Sequence, residues 1–376
     1  LPLFILAGGL MNRGGTSDAL VDFAECFVGR LKGGLGFVSI LSCAIFGSIS
    51  GSAGATLAAI GGIMLPKLRD RGYPPGHSAA LISCASVLGL LIPPSALMIL
   101  YGWVTRTSVA ACFLATIGPG ILLIVLLGFA NWIMIRRVKI SDLPEKLNRT
   151  AKIEKIKYST KRAFPAGIMP MLILGGIYSG LFTATEAAAV AVAYSILVGF
   201  VFYRGLNIKT FTVTLIESAT TTGVIMILIF SIMMLGRVLI MENIPQQITE
   251  YVTELSNNKY AILLLINLLL LSIGMIMDDA SGTLLAGPLL LPLVSSADIS
   301  PIHFAAILST NLGMGNITPP TAPLLYLGGR IGNVPFDEMF KPALMFILLA
   351  WLPVVFLTTF WPDLSLFLPR LAGFVN

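Results

Sequence analysis

Charge is scarce in this chain. Only 11% of its 376 residues are Asp, Glu, Lys or Arg, where a soluble domain carries about 25%. That scarcity excludes an ordinary soluble domain. Histidine is scarcer still: His77 and His303 stand alone near helix starts beside prolines, and a zinc site needs clustered ligands. The four cysteines, Cys26, Cys43, Cys84 and Cys112, have no metal or redox spacing and read as packing residues. No G-x-x-x-x-G-K-[ST] occurs, so Gly8-Gly9 and Gly14-Gly15 are not phosphate loops and no ATPase motor is encoded. Short alternating segments of about ten residues are missing, which argues against a membrane β-barrel. Ser and Asp occur in apolar surroundings without a His or Lys partner, which disfavours an intramembrane enzyme. An initiator Met and a signal peptide are also missing. Leu1 opens inside an apolar helix (LPLFILAGGLM), so N-terminal helices are expected to be absent from this sequence.

What the chain does have is apolar sequence. Hydrophobic residues make up 56% and mean hydropathy is +0.91. Runs near the roughly 20 residues that cross a bilayer recur throughout, so an all-α polytopic membrane protein is expected. The net charge of +6 is concentrated: Arg136 to Arg162 holds ten of the 24 basic residues. Lying between two spans without interleaved aromatics, this stretch reads as a cytoplasmic linker rather than a nucleic-acid surface.

Two distant stretches match without a gap. Ala79–Ala96 reads AALISCASVLGLLIPPSA and Ala305–Ala322 reads AAILSTNLGMGNITPPTA. Pro93-Pro94 and Pro319-Pro320 lie 226 residues apart, as do Leu65-Pro66 and Leu291-Pro292, Gly61 and Gly287, and Gly102 and Gly328. A Pro-Pro step inside an apolar segment predicts a helix broken within the bilayer. Such breaks at matching places in two halves point to a transporter binding site.

The expected division is a first repeat over 1–135, a basic linker over 136–163 and a second repeat over 164–376. In the first, Gly33–Gly47 and Gly51–Pro66 are short for crossing and flank a small polar tip, so 33–66 is expected to be a re-entrant hairpin. Arg30 and Lys32 precede it and Lys67, Arg69 and Arg71 follow it, which places its base in the cytoplasm. A broken helix follows over 79–104. The second repeat has a hairpin at 260–294 with tip Asp278-Asp279-Ala280, then a broken helix at 304–327. Its following loop has Asp298 and no basic residue, so this hairpin is expected to enter from the other side. The repeat is therefore expected to be inverted, the arrangement underlying alternating access. Phe164–Phe182, Ala184–Phe202, Phe211–Met241 and Pro342–Phe360 are further expected spans. Ser17–Val28 and Pro245–Leu255 are expected interfacial arms.

Freed carbonyls at a break, with hydroxyls or carboxylates, suit a hard cation; freed amides at a half-helix N-terminus suit an anion. One such cluster joins Ser48, Ser50, Gly51 and Ser52 to Gly89, Pro93 and Ser95. The other joins Asp278, Asp279 and Ser281 to Gly315, Asn316, Thr318 and Thr321. Carboxylates deep in apolar sequence are costly, which marks Asp278 and Asp279 as functional rather than a turn at a span end. The serine tip has helix packing as its plainer reading. Glu186 is either a polar-interior carboxylate or a cap of the helix after Thr183.

GSISGSAGATLAAIG, LLIPPSALMILYG, GGIYSGLFTATEAAAVAVAYSILVG and NLGMGNITPPTAPLLYLGG together resemble the large membrane subunit of the tripartite ATP-independent periplasmic (TRAP) transporters, over essentially the whole chain. The resemblance implies an elevator-type fold like that of the ion transporter superfamily, and sodium-coupled uptake of an organic acid across a bacterial inner membrane. It implies a periplasmic substrate-binding protein and a small four-helix membrane subunit as partners. It implies two or more sodium ions and no organic cofactor. Carried across, one sodium site falls on Ser48, Ser50, Gly51, Gly89 and Ser95 and another on Asp278, Gly315, Thr318 and Thr321. The substrate carboxylate falls near Ser50, Ser52, Ser95 and Asn316. Thr56 stands where some members carry Asp, which favours a compact C4-dicarboxylate over a sialic acid. A sodium–dicarboxylate carrier without a binding protein and an ion channel are the alternatives; an inverted repeat disfavours a channel.

Overall fold

The computed structural model describes residues 1–28, 33–136, 138, 149–255 and 258–375. The described residues are helical with no strand. The first part runs α1 (Pro2–Arg13), α2 (Thr16–Val28), α3 (Gly34–Ser50), α4 (Ala53–Asp70), α5 (Pro75–Ser86), α6 (Leu88–Leu91), α7 (Ala96–Thr105) and α8 (Val109–Ile135). Next come α9 (Arg149–Tyr178) and α10 (Ala184–Leu197), which continues as a π-helical turn to Phe202. Then follow α11 (Ile208–Met241), α12 (Ile244–Leu255), α13 (Lys259–Ile276), α14 (Asp279–Ser296), α15 (Pro301–Gly315) and α16 (Pro323–Gly332). The chain ends with α17 (Phe336–Phe346), a π-helical turn to Trp351, α18 (Leu352–Phe360) and α19 (Asp363–Leu371).

The sequence repeat is a structural repeat. A shift of 226 carries Ala53, the start of α4, onto Asp279, the start of α14, and Pro75 onto Pro301, the start of α15. α3 and α4 form the first hairpin, and α13 and α14 the second. Their 17- and 18-residue arms reach about 27 Å at most, short of a comfortable crossing. Both predicted breaks occur. The segment Pro75–Leu91 meets Ala96–Thr105 at a 43° bend, because Pro93 and Pro94 bring no N–H to a helix ladder.

The two hairpin bases lie at opposite ends of α8. Near the end of α8, Asn131 Nδ2 donates to the Gly33 carbonyl at 3.0 Å, at the base of the first hairpin. Near the start of α8, the Tyr101 hydroxyl donates to the Pro301 carbonyl at 2.7 Å, just beyond the second hairpin. α8 has 27 residues and is therefore about 40 Å long. The end holding the first base also gathers cations. Asp22 lies 3.0 Å from Arg162 and 3.7 Å from Lys67, and Arg69 donates to the Gly332 carbonyl at 2.9 Å.

Three expectations change. The basic linker was expected over 136–163, but α9 already begins at Arg149; nothing from Thr150 to Phe164 is Gly or Pro, so no residue there stops a helix. Residues 137 and 139–148, and with them part of the linker, lie outside the described residues, as do Arg30 and Lys32. Because its first half is basic, α9 does not qualify on length and composition as a span. Among the described residues five other helices do: Val109–Ile135, Ala184–Phe202, Ile208–Met241, Phe336–Phe360 and, although it is an arm of the second hairpin, Lys259–Ile276. α19 was not anticipated. Glu186 is a cap: its Oε2 accepts the Thr183 N–H at 2.8 Å while Thr183 Oγ1 accepts the Glu186 N–H at 3.3 Å.

The two lone histidines are repeat equivalents, 226 apart. Each is buried and ties the start of its helix to a helix that crosses it. His77 Nε2 bonds Asn131 Oδ1 at 3.0 Å, and His303 Nε2 bonds the Thr358 carbonyl at 2.7 Å. His77→Ala leaves Asn131 Oδ1 unpaired inside the protein beside a small void. The expected cost is about 2–4 kcal/mol, read as a lower melting temperature in detergent; an unchanged melting temperature contradicts it.

Candidate functional site

The first hairpin turns at Gly51, whose φ of +62° is left-handed and suits glycine. Ser52 caps α4, its Oγ accepting the Ala55 N–H at 3.4 Å. One turn on, Thr56 Oγ1 donates to the Ser52 carbonyl at 2.7 Å and meets Ser50 Oγ at 3.0 Å. The broken helix comes directly onto this tip: the Ala96 N–H donates to the Gly51 carbonyl at 3.2 Å. Two glycines permit the approach. A Cβ on Gly89 would sit 2.8 Å from Thr56 Oγ1 and 2.9 Å from the Ser52 carbonyl oxygen, and one on Gly47 would sit 2.6 Å from Gly89 Cα. Ser95, at the start of α7, is fully buried and its hydroxyl has no partner among the described residues. Ser48 turns away, donating to the Ile45 carbonyl of its own helix at 2.7 Å.

The second tip is built differently. Met277 is extended, and Asp278 caps α14 with Oδ2, which accepts from Ala280 N at 3.1 Å and Ser281 N at 3.3 Å. Its break again crowds the hairpin. A Cβ on Gly315, the repeat equivalent of Gly89, would lie 2.4 Å from the Gly274 carbonyl carbon. Thr321, the equivalent of Ser95, donates its hydroxyl to the Met275 carbonyl. Thr318 donates to the Met314 carbonyl at 2.6 Å. Asn316 is buried, with Oδ1 unpartnered among the described residues. The first break is closed in by protein, whereas Pro320 and Thr321 of the second are exposed.

Both tips face one cavity of about 460 Å³, within the ordinary size range of small-molecule sites. Ser50, Gly51 and Ser52 line it from the first hairpin and Asp278, Asp279 and Ala280 from the second. Ala96 and Leu97 add the start of α7. Three helix N-termini, those of α4, α7 and α14, thus converge on it, and each presents amides and the positive end of a dipole. They are not equivalent. The α14 terminus is already neutralised by the Asp278 carboxylate, while α4 is capped only by a neutral hydroxyl and α7 has no side-chain cap. An anion is therefore favoured on the first-hairpin side.

The remaining wall comes from residues that sequence reasoning missed. α1 contributes Gly9, Asn12 and Arg13, and α11 contributes Thr214, Glu217 and Ser218. α1 wedges between the first tip and α11. A Cβ on Gly8 would lie 3.1 Å from Ser50 Cα, and one on Gly9 would lie 3.0 Å from Thr214 Cγ2. Arg13 and Glu217 are single charges in or beside apolar runs, a signal of intramembrane function that was available. Thr56 was legible as one helical turn beyond Ser52.

Of the predicted site residues, Ser50, Gly51, Ser52 and Asp278 share the cavity. Gly89 and Ser95 sit behind the first tip, and Gly315, Thr318 and Thr321 behind the second. Asn316 was expected beside the substrate with Ser50 and Ser52, but it is buried at the second break, off the cavity wall. Among the described residues no three His, Cys, Asp or Glu converge as a metal cluster. Hydroxyl and carbonyl oxygens predominate behind the first tip, a donor set suited to hard cations.

The family model of the tripartite ATP-independent periplasmic transporter, DctM component, matches residues 1–364. The C4-dicarboxylate TRAP transporter large permease protein DctM of Pseudomonas aeruginosa is 36% identical over 375 residues, covering 99% of this chain and 86% of that one. The sialic acid TRAP transporter large permease protein SiaM of Vibrio cholerae is 34% identical over 371 residues, with 99% and 86% covered. The YdaH transporter of Alcanivorax borkumensis superposes with a TM-score of 0.64 at 16% identity, over 96% of this chain and 85% of that one. That last likeness concerns the fold alone. With several helices long and apolar enough to cross a membrane and a cavity between two hairpin tips, this integral membrane protein is a transport protein and not an enzyme, and it belongs to the DctM family of tripartite ATP-independent periplasmic transporters.

Proposed function

We propose that the protein carries a small organic anion, of the C4-dicarboxylate or sialic acid type, into the cell together with sodium ions. The cavity carries the reading. Its side chains include three carboxylates, Glu217, Asp278 and Asp279, against one guanidinium, Arg13. A site with that acid surplus repels an anion unless cations enter with it. The carboxylates of the second tip and the hydroxyl and carbonyl oxygens behind the first, with the unpartnered Ser95 hydroxyl, are where sodium would be held. The N-termini of α4 and α7, which carry no charged cap, are where a carboxylate would be held.

In this reading the hairpins and broken helices move as one body past α1 and α11, an elevator whose sliding surface is kept close by Gly8 and Gly9. The cation-rich end lies in the cytoplasm of a bacterial inner membrane. A periplasmic substrate-binding protein delivers the acid and a small four-helix membrane subunit flanks the scaffold. The isethionate permease protein DctMQ of Oleidesulfovibrio alaskensis is 33% identical, and this chain covers 57% of it. Fusion of the small subunit is thus one form such a partner takes. α11 has room for lipid or partner: only 6% of its most apolar stretch is buried.

A ligand shifts the equilibrium only through its differential affinity for the two states. Sodium and acid should therefore bind with a coupling of about 1–3 kcal/mol, or about 5–150-fold in affinity. Succinate affinity measured in proteoliposomes at high and low sodium tests this. Equal affinities contradict it.

A further inference from the structure

The Arg13–Glu217 pair is left unexplained by the two hairpin tips. It joins α1 to α11 in the cavity wall. One nitrogen, Arg13 Nη2, contacts both Glu217 oxygens at 2.6 Å. Among the described residues the other guanidinium nitrogens make no hydrogen bond, so a fork that matches a carboxylate in two-point contact is only partly engaged. The side chains are 38% and 57% exposed. A wet pair of this kind contributes little to stability, and α1 is already held to α11 by the Gly9–Thr214 contact. What the pair does offer is an arginine beside the cavity whose present partner is itself a carboxylate.

We propose that Arg13 is a specificity residue that binds the second acidic group of a dianionic substrate, and that Glu217 is the carboxylate which that group displaces. The proposal rests on the transport reading above and names the substrate class within it. One carboxylate lies against the N-termini of α4 and α7, which carry no charged cap; the other exchanges with Glu217 on Arg13. Glu217 holds the guanidinium in place while the cavity is free of substrate. It also adds a negative charge that a monoanion, which does not reach Arg13, leaves undisturbed. Because Arg13 and Glu217 sit on α1 and α11, outside the hairpins, the second acid group also bridges the two bodies.

The two partners then have opposite effects, which a merely structural ion pair does not produce. The test is binding of succinate and of butyrate, its chain-length match with one carboxylate, to the purified protein with its membrane partner in nanodiscs at saturating sodium. Arg13→Gln is expected to weaken succinate about tenfold or more and to leave butyrate unchanged. Glu217→Gln is expected to tighten succinate, because the competitor is gone. Arg13→Lys is expected to fall between, keeping the charge without the fork. Equal weakening of both acids by Arg13→Gln, or weaker succinate binding in Glu217→Gln, overturns the proposal while leaving transport intact. Should Arg13→Gln fail to fold, the sign of the Glu217→Gln effect decides alone. A native protein that binds neither acid at any sodium concentration overturns the transport reading and this proposal with it.

Discussion

Gly89→Ala is expected to cut uptake at least tenfold. The new methyl carbon would stand 2.8 Å from Thr56 Oγ1 and 2.9 Å from the Ser52 carbonyl oxygen. Neither atom yields cheaply. The carbonyl belongs to the hairpin turn, and Thr56 is fully buried and bonded to that same carbonyl. The break must back away from the tip, separating the Ala96 N–H from the Gly51 carbonyl and pulling the start of α7 off the cavity. Overpacking of this kind costs about 1–3 kcal/mol, so the protein is expected to fold with a lowered melting temperature while transport falls at least tenfold. Gly54→Ala is the control. It lies in the first hairpin, in α4, with nothing within 4 Å of its added carbon, and in a helix alanine is favoured over glycine by about 0.5–1 kcal/mol. That variant should transport normally. Normal uptake in Gly89→Ala would show that the break need not touch the tip.

The second large effect belongs to Asp278. Its carboxylate caps α14 and also faces the cavity, and two substitutions separate those roles. Asparagine caps a helix about as well as aspartate, whereas alanine costs about 0.5–2 kcal/mol. Asp278→Asn should therefore keep its melting temperature but lose the charge, raising the sodium concentration needed for half-maximal uptake about tenfold. Asp278→Ala should lose both. A sodium titration of Asp278→Asn that matches the unaltered protein contradicts a role for this carboxylate in cation coupling.

Much of the architecture was legible because the bilayer limits the choices. Apolar runs had to be helices, and a Pro-Pro step inside one had to break it. The offset of 226 residues, read from two proline pairs, carries the starts of α4 and α5 onto those of α14 and α15. The charges beside the hairpin bases anticipated that these lie at opposite ends. The start of α9 was missed because basic sequence was equated with a loop, although a helix needs only good formers and no breaker. The site was legible where helix-breaking residues flagged it: Ser50, Ser52 and Asp278 came from their place at the tips. Arg13 and Glu217 sit in unbroken helices 204 residues apart in the sequence, and only the packing of α1 on α11 brings them together. Asn316, expected beside the substrate from the family resemblance, lies off the cavity wall at the second break; a carboxylate cap at one tip and a hydroxyl cap at the other make the cavity one-sided.

The account depends on the two tips closing one space around an acid and its cations. Ser52→Cys and Ala280→Cys, one on each hairpin and both on the cavity wall, test this most directly. Each is made in a Cys26→Ser background, since the other three cysteines are buried. The rate of modification by a small charged thiol reagent is then measured with succinate and sodium, separately and together. The account predicts that succinate slows the reaction at both positions, and only when sodium is present. Protection at one tip without the other, or protection by succinate regardless of sodium, contradicts it.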